Sequence, residues 1–407
     1  MEFINKIKQN YEQWTRVTPQ GLLYDRALFW LFIVLLLIGL VAVTSASMPY
    51  SARVFNDTFY FAKRDAIYVL LSLATCYLTL YVLLSLATCY LTLQISSSQW
   101  EKWHAKVFLL AIVLLILVLG IGTSVNGAKR WISLGILNFQ PAEFAKLALT
   151  CFLASYFTRR YDEVRGKKFS AAKPFIVMGV LGIFLLAQPD LGSTVVLFVI
   201  TFGMLFIVGA NFWQFILLIG TGILLFVWLV LSASYRLKRF TGFLEPFKDP
   251  YGTGFQLTNS LMAFGRGEIS GEGLGNSIQK LDYLPEAHTD FIMAIIGEEF
   301  GFIGILVVVI LLGLLIFRAM KIGRESLMLE QRFRGFFALG ISFWIFFQGF
   351  VNLGMALGML PTKGLTFPLV SYGGSSIIIM SATVGILLRI DHENRLQRGG
   401  QARLRDD

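Results

Sequence analysis

Runs free of Asp, Glu, Lys and Arg constrain this chain more than any motif does. They occupy 27–52, 66–100, 107–128, 147–158, 174–189, 191–235, 300–317, 335–362 and 364–388. A helix needs about 20 mainly apolar residues to cross a bilayer, where its backbone must satisfy itself without water. The run 191–235 would form one helix about 67 Å long at 1.5 Å per residue, far more than one bilayer. It therefore divides into two spans near Gly209-Ala210-Asn211. The short runs 147–158 and 300–317 extend backwards through a few charged residues. The expectation is an all-α polytopic membrane protein with ten spans over 27–388, flanked by segments 1–26 and 389–407.

Composition agrees. The chain is 56% hydrophobic and only 15% charged, against about 25% charged in soluble domains. This excludes an ordinary soluble globular protein, a disordered chain and a nucleic-acid-binding domain. The net charge of +10 belongs to loops facing the cytoplasm and anionic lipid. With the N-terminus inside, the cytoplasmic segments hold 22 Lys and Arg and the outer ones 12 over a similar length. Both termini are thus expected inside, with a large outer loop at about 233–288 between spans 7 and 8. The first apolar run is too long for a signal peptide and follows a charged segment. Three Cys make no disulfide framework and read as small core residues.

Residues 68–80, YVLLSLATCYLTL, are repeated without change at 81–93. Two 13-residue helices would each reach only about 20 Å, too short to span. Two spans here would also invert the charge bias downstream. The expectation is one overlong second span, with one copy packed in the bundle and the other a duplication without a function of its own.

Charged groups at membrane depth are expensive and point to function. Four blocks collect them, all facing outward in this topology. The first is Asn126-Gly127-Ala128-Lys129-Arg130-Trp131 with Phe139-Gln140-Pro141-Ala142-Glu143-Phe144-Ala145-Lys146. Pro141 suits a first helical turn, and Glu143 and Lys146 then share a face. They read either as an internal ion pair or, with Arg130, as a cationic site for a phosphate group. The second is the turn Gln188-Pro189-Asp190-Leu191-Gly192-Ser193, in which Asp190 suits a helix cap. The third closes the outer loop, Leu284-Pro285-Glu286-Ala287-His288-Thr289-Asp290, with Glu298 and Glu299 about two turns into the eighth span. Asp290 reads as a cap or as a working carboxylate. His288 has no partners at metal-ligand spacing, and no metal is expected. The fourth is Pro361-Thr362-Lys363-Gly364-Leu365-Thr366-Phe367-Pro368 with Ser371-Tyr372-Gly373-Gly374-Ser375-Ser376. Its Gly and Pro suit non-helical backbone lining a cavity. These residues alone fit an anionic, membrane-borne substrate, and do not choose between an enzyme and a transporter.

The four blocks, in this order across ten spans, resemble the SEDS family (shape, elongation, division and sporulation proteins) over roughly 25–390. Pro361-Thr362-Lys363-Gly364-Leu365 and the stretch from Gly265-Arg266-Gly267-Glu268 to Gln279-Lys280-Leu281 are similar to its cell-division branch. The duplicated 13-mer departs from the family pattern.

The resemblance implies a peptidoglycan glycosyltransferase that polymerises lipid II in septal cell-wall synthesis, located in the bacterial inner membrane at the division septum. A sugar 4-hydroxyl would attack the anomeric carbon of the lipid-linked sugar, and undecaprenyl pyrophosphate would leave. Asp290 matches the family's essential aspartate and would act as general base. Arg130, Lys146 and Lys363 would hold the pyrophosphate, with Glu143 in the same cavity, while Asp190, His288, Glu298 and Glu299 would support the site. The implied partners are a class B penicillin-binding protein, other divisome proteins and membrane lipid. The resemblance leaves room for a divalent cation at the pyrophosphate, although no ligand cluster argues for one. A lipid II flippase and a non-catalytic divisome scaffold are the alternatives from other classes.

Overall fold

The computed structural model describes residues 25–55, 77–125, 128–134, 137–166, 172–210, 212–231, 241–361 and 364–406. The N-terminal segment up to residue 24, most of the first repeat copy, Asn126-Gly127, the start of the outer loop and Lys363 lie outside the described residues. The order is α1 (Arg26–Phe55), α2 (Tyr77–Gln94), α3 (Ser97–Ile121), β1 (Thr123–Val125), β2 (Ala128–Leu134), β3 (Leu137–Phe139), α4 (Pro141–Arg159), α5 (Tyr161–Gly166), α6 (Ala172–Ala187), α7 (Leu191–Val208), α8 (Phe212–Leu231), α9 (Phe255–Gly267), α10 (Ile292–Met328), α11 (Arg332–Ala356) and α12 (Gly374–Asp406).

A helix lies in each of the ten segments expected to span. Among the described residues five helices are long and apolar enough to cross a membrane: α3, α7, α10, α11 and the part of α12 up to Arg398. The chain is a multi-pass membrane protein. Local signals set the helix ends. Ser96 and Gln99 form a capping box at α3, Pro141 opens α4, Asp190 caps α7, and Gly209 ends α7 in the left-handed conformation.

Three features depart from the sequence expectation. The chain is not all-α, because β1, β2 and β3 form an antiparallel sheet. Val125 pairs with Ala128 and Leu134 with Leu137, so two-residue connections fold this stretch back between α3 and α4. The long loop before α10, expected to face outward, contains α9, an amphipathic helix packed on α10. Finally, α10 is interrupted at Gly301, where φ is 65° and ψ is −163°. The loop preceding α10 repairs the interruption. The N–H groups of Phe302 and Ile303 donate to the carbonyls of Glu268 and Ile269 at 2.9 and 3.2 Å. Those of Glu272 and Gly273 donate to the carbonyls of Glu298 and Glu299 at 3.0 and 2.9 Å. A Cβ on Gly301 would collide with the Ile269 carbonyl.

The second repeat copy lies in α2 and packs against α12. Thr92 Oγ1 is 3.3 Å from the Ala382 carbonyl, and a Cβ on Gly385 would collide with Thr92 Oγ1 and the Cys89 carbonyl. The core between the helices is filled by large side chains such as Trp344, Phe157 and Phe337.

Candidate functional site

The four motif blocks meet at one end of the bundle, where α4, α7, α10 and α12 all begin. Ser375, in the first turn of α12, accepts from the Gln140 N–H at 2.8 Å and donates to the Asn138 carbonyl at 3.0 Å. Arg130 on β2 reaches the second block, donating to the carbonyls of Gln188 at 3.3 Å and Pro189 at 2.6 Å. Gly192 lies against the Leu365 side chain. The Tyr372 N–H donates to the His288 carbonyl at 2.9 Å, which ties the third block to the fourth.

Asp290 is half-buried in a turn just before α10. Its N–H donates to the Glu286 carbonyl at 3.1 Å. The N-cap position of α10 is Phe291, whose side chain makes no capping hydrogen bond. The Asp290 carboxylate lies against Gly364, where a Cβ would sit 3.1 Å from Asp290 Oδ2. The Asp290 carbonyl accepts from Asn352 Nδ2 at 2.8 Å, and the same nitrogen donates to the Leu365 carbonyl at 2.5 Å.

Glu143 and Lys146 form the expected pair one turn into α4. Lys146 Nζ is 2.9 Å from Oε1 and 2.8 Å from Oε2 of Glu143. It also donates to Gln348 Oε1 at 2.8 Å and lies 5.4 Å from the Trp344 ring centroid. Lys146 is 0% exposed, so its ammonium is enclosed by protein and does not line an open cavity. Gln348 completes the path, accepting from Trp344 Nε1 at 2.8 Å and donating to the Thr366 carbonyl at 3.0 Å.

The supporting residues are also accounted for. Asp190 is engaged as a cap, accepting from the Ser193 N–H at 3.1 Å and the Ser193 hydroxyl at 2.7 Å. Glu298 accepts from the Ser277 hydroxyl, from the N–H groups of Ile278 and Gln279 at 3.0 and 3.2 Å, and from Arg266 at 2.8 Å. Glu299 accepts from Ser45 at 2.6 Å and Lys280 at 2.7 Å. These two carboxylates fasten the loop before α10 onto α1 and α10. The His288 ring is 5.5 Å from that of Tyr372, and burial pushes its pKa below the ordinary histidine value, which keeps it neutral at pH 7. Among the described residues no group of three or more His, Cys, Asp or Glu is arranged to hold a metal ion.

Sequence reasoning missed Gln348, Asn352, Ser45 and Lys280. The first two are uncharged and sit inside the apolar run 335–362. Amides four residues apart in a membrane helix are the signal that marks them, since such groups need partners in the interior.

Known proteins share this chain's sequence and architecture. The family model for FtsW, RodA and SpoVE, described as cell cycle protein, matches residues 26–396. The "Probable peptidoglycan glycosyltransferase FtsW" of Haemophilus influenzae is 83% identical over 100% of both chains, and that of Pasteurella multocida 75% identical over 100% of both. Among solved structures, one chain comes from work described as "Structural coordination of polymerization and crosslinking by a peptidoglycan synthase complex". It is 28% identical over 92% of this chain and 99% of its own, with a TM-score of 0.73. The Thermus thermophilus rod shape determining protein RodA is 27% identical over 91% of this chain and 97% of its own, with a TM-score of 0.64. With a match across nearly all of its length and the four blocks gathered at one end, the chain belongs to the SEDS family of cell cycle proteins.

Proposed function

We propose that this protein is a peptidoglycan glycosyltransferase that polymerises lipid II into glycan strands for septal cell-wall synthesis. It works as a ten-span protein of the bacterial inner membrane, with both termini cytoplasmic and the site on the outer face. The observation that carries the reading is the half-buried Asp290 carboxylate where four motif blocks meet, in a chain 83% identical end to end to a relative bearing this activity in its name.

In this reading Asp290 takes the proton from the acceptor sugar's 4-hydroxyl as its oxygen bonds to the donor's anomeric carbon. The bond from that carbon to the pyrophosphate oxygen breaks, and undecaprenyl pyrophosphate leaves with the electron pair. Arg130 and Lys363 hold the pyrophosphate and offset its departing charge. Lys146 and Glu143, enclosed and mutually paired, support the site through Gln348 and the Thr366 carbonyl. Asp190, His288, Glu298 and Glu299 hold the surrounding turns. A class B penicillin-binding protein is the partner that crosslinks the strands. The resemblance in fold to a chain of a peptidoglycan synthase complex supports that assignment.

The test supplies lipid II to the purified protein with its penicillin-binding partner in vesicles. Glycan polymer is the expected product. Lipid II translocation without polymer would replace this reading with a flippase, and neither product would leave a scaffold.

A further inference from the structure

We propose that Asn352 is a positioning residue for Asp290, an inference that rests on the reading of Asp290 as general base. Asn352 is 0% exposed, on the last turns of α11. The two hydrogens of its Nδ2 are divided between chain segments far apart in sequence, the Asp290 carbonyl at 2.8 Å and the Leu365 carbonyl at 2.5 Å. Its Oδ1 is buried and has no hydrogen-bond partner among the described residues. An apolar side chain of similar shape would leave both carbonyls without this donor. What the site uses is the pair of donors.

The two carbonyls explain the use. Asp290 lies in the turn just before α10, its N–H held by the Glu286 carbonyl and its own carbonyl by Asn352 from a second helix. Leu365 follows Gly364, the residue against which the Asp290 carboxylate lies. One planar amide therefore sets the separation between the carboxylate and the backbone segment that faces it. Gln348, one turn earlier on the same face, holds the next carbonyl of that segment, Thr366. The segment is thus pinned at two successive carbonyls by one helix, and Asn352 alone of the two also reaches Asp290. Displacing a reacting group by about 1 Å can reduce the rate about 10²-fold.

The test measures kcat and KM for lipid II polymerisation by the purified protein with its partner. The variants are Asn352→Leu, Asn352→Asp, Asp290→Asn and, as a remote control, Ser155→Ala. Both Asn352 variants are expected to lose about 10- to 100-fold in kcat with KM nearly unchanged. The acid limb of kcat against pH, which reports the base, should move in them and stay in place in Ser155→Ala. Wild-type kcat in either folded Asn352 variant, or an unmoved acid limb, would overturn the inference while leaving the base assignment intact. Failure of both variants to fold would also overturn it, because the role would then be structural. Full polymerisation by Asp290→Asn would instead remove the base assignment and the inference with it.

Discussion

At the end of the bundle that carries Asp290, Lys146 and Glu143 are enclosed together and joined by neutral amides and hydroxyls to the 364–376 segment. At the opposite end exposed pairs stand beside covered ones: Arg160 and Lys173 share Glu163 at the surface, while Arg334 and Arg389 share Glu393, and Arg318 meets Asp25, with their side chains largely covered. Both ends are rich in charge, but they place it in different surroundings. Near water an ion pair contributes about 0–1 kcal/mol. Where water is excluded, removing one partner strands the other at about 3–5 kcal/mol. Ion pairing alone therefore does not identify a site. What sets the end built around Asp290 apart is Lys146, a lysine with no exposure that contacts a carboxylate on its own helix and a neutral amide from another.

The contrast can be broken at several points. The largest effect on stability is expected at Lys146: Lys146→Met should destabilise by about 3–5 kcal/mol, whereas Glu143→Leu combined with Lys146→Met should recover most of it. Unfolding in detergent decides, and a mild single mutant would mean that water reaches the pair. Next is Asp290→Asn, which should insert normally and bind its partner yet lose polymerisation by about 10²-fold or more. Polymer yield from purified complexes is the readout, with near-normal yield removing the base. Arg130→Gln and Lys363→Gln should each lower kcat/KM for lipid II by about 10- to 100-fold, the range of a lost hydrogen bond to a charged group. For either, loss of folded protein would favour the structural reading. At the opposite end, Arg160→Ala should change stability by less than about 1 kcal/mol. The smallest effect is expected from deleting 81–93, which leaves the same sequence as deleting 68–80. One copy then occupies the groove at Gly385, with stability and activity kept or improved; unfolding would show that the extra length is required. Thirteen residues rotate a helix by three turns and about 220°, so the two copies cannot present one face to α12 together.

Much of this architecture is legible in the sequence, because a bilayer forces long charge-free runs to be helices. The motif blocks are legible too, since charge and Gly-Pro interruptions stand out against such a background. The sheet carried a signal that a helix-centred reading passes over: Asn126-Gly127 between short strand-forming stretches is a strong hairpin dipeptide. The interruption at Gly301 had a weaker one, a glycine directly after Glu298-Glu299-Phe300. Asn352 was illegible for a different reason. Its role comes from two carbonyls, 62 and 13 residues away in sequence, and backbone groups leave no mark in a sequence.

The interruption of α10 also bears on how the chain is made. Residues 268–273, which complete the hydrogen-bond ladder around Gly301, are synthesised before the helix they repair. In the native structure the N–H groups of Phe302 and Ile303 donate to this loop and not to the carbonyls of Glu298 and Glu299 four residues back, which the loop's own N–H groups occupy. Insertion of α10 in its native form is thus coupled to prior delivery of the loop to the same side. A chain whose loop arrives late can close an ordinary helical ladder through Gly301, so that docking the loop then exchanges two helical hydrogen bonds for four between loop and helix.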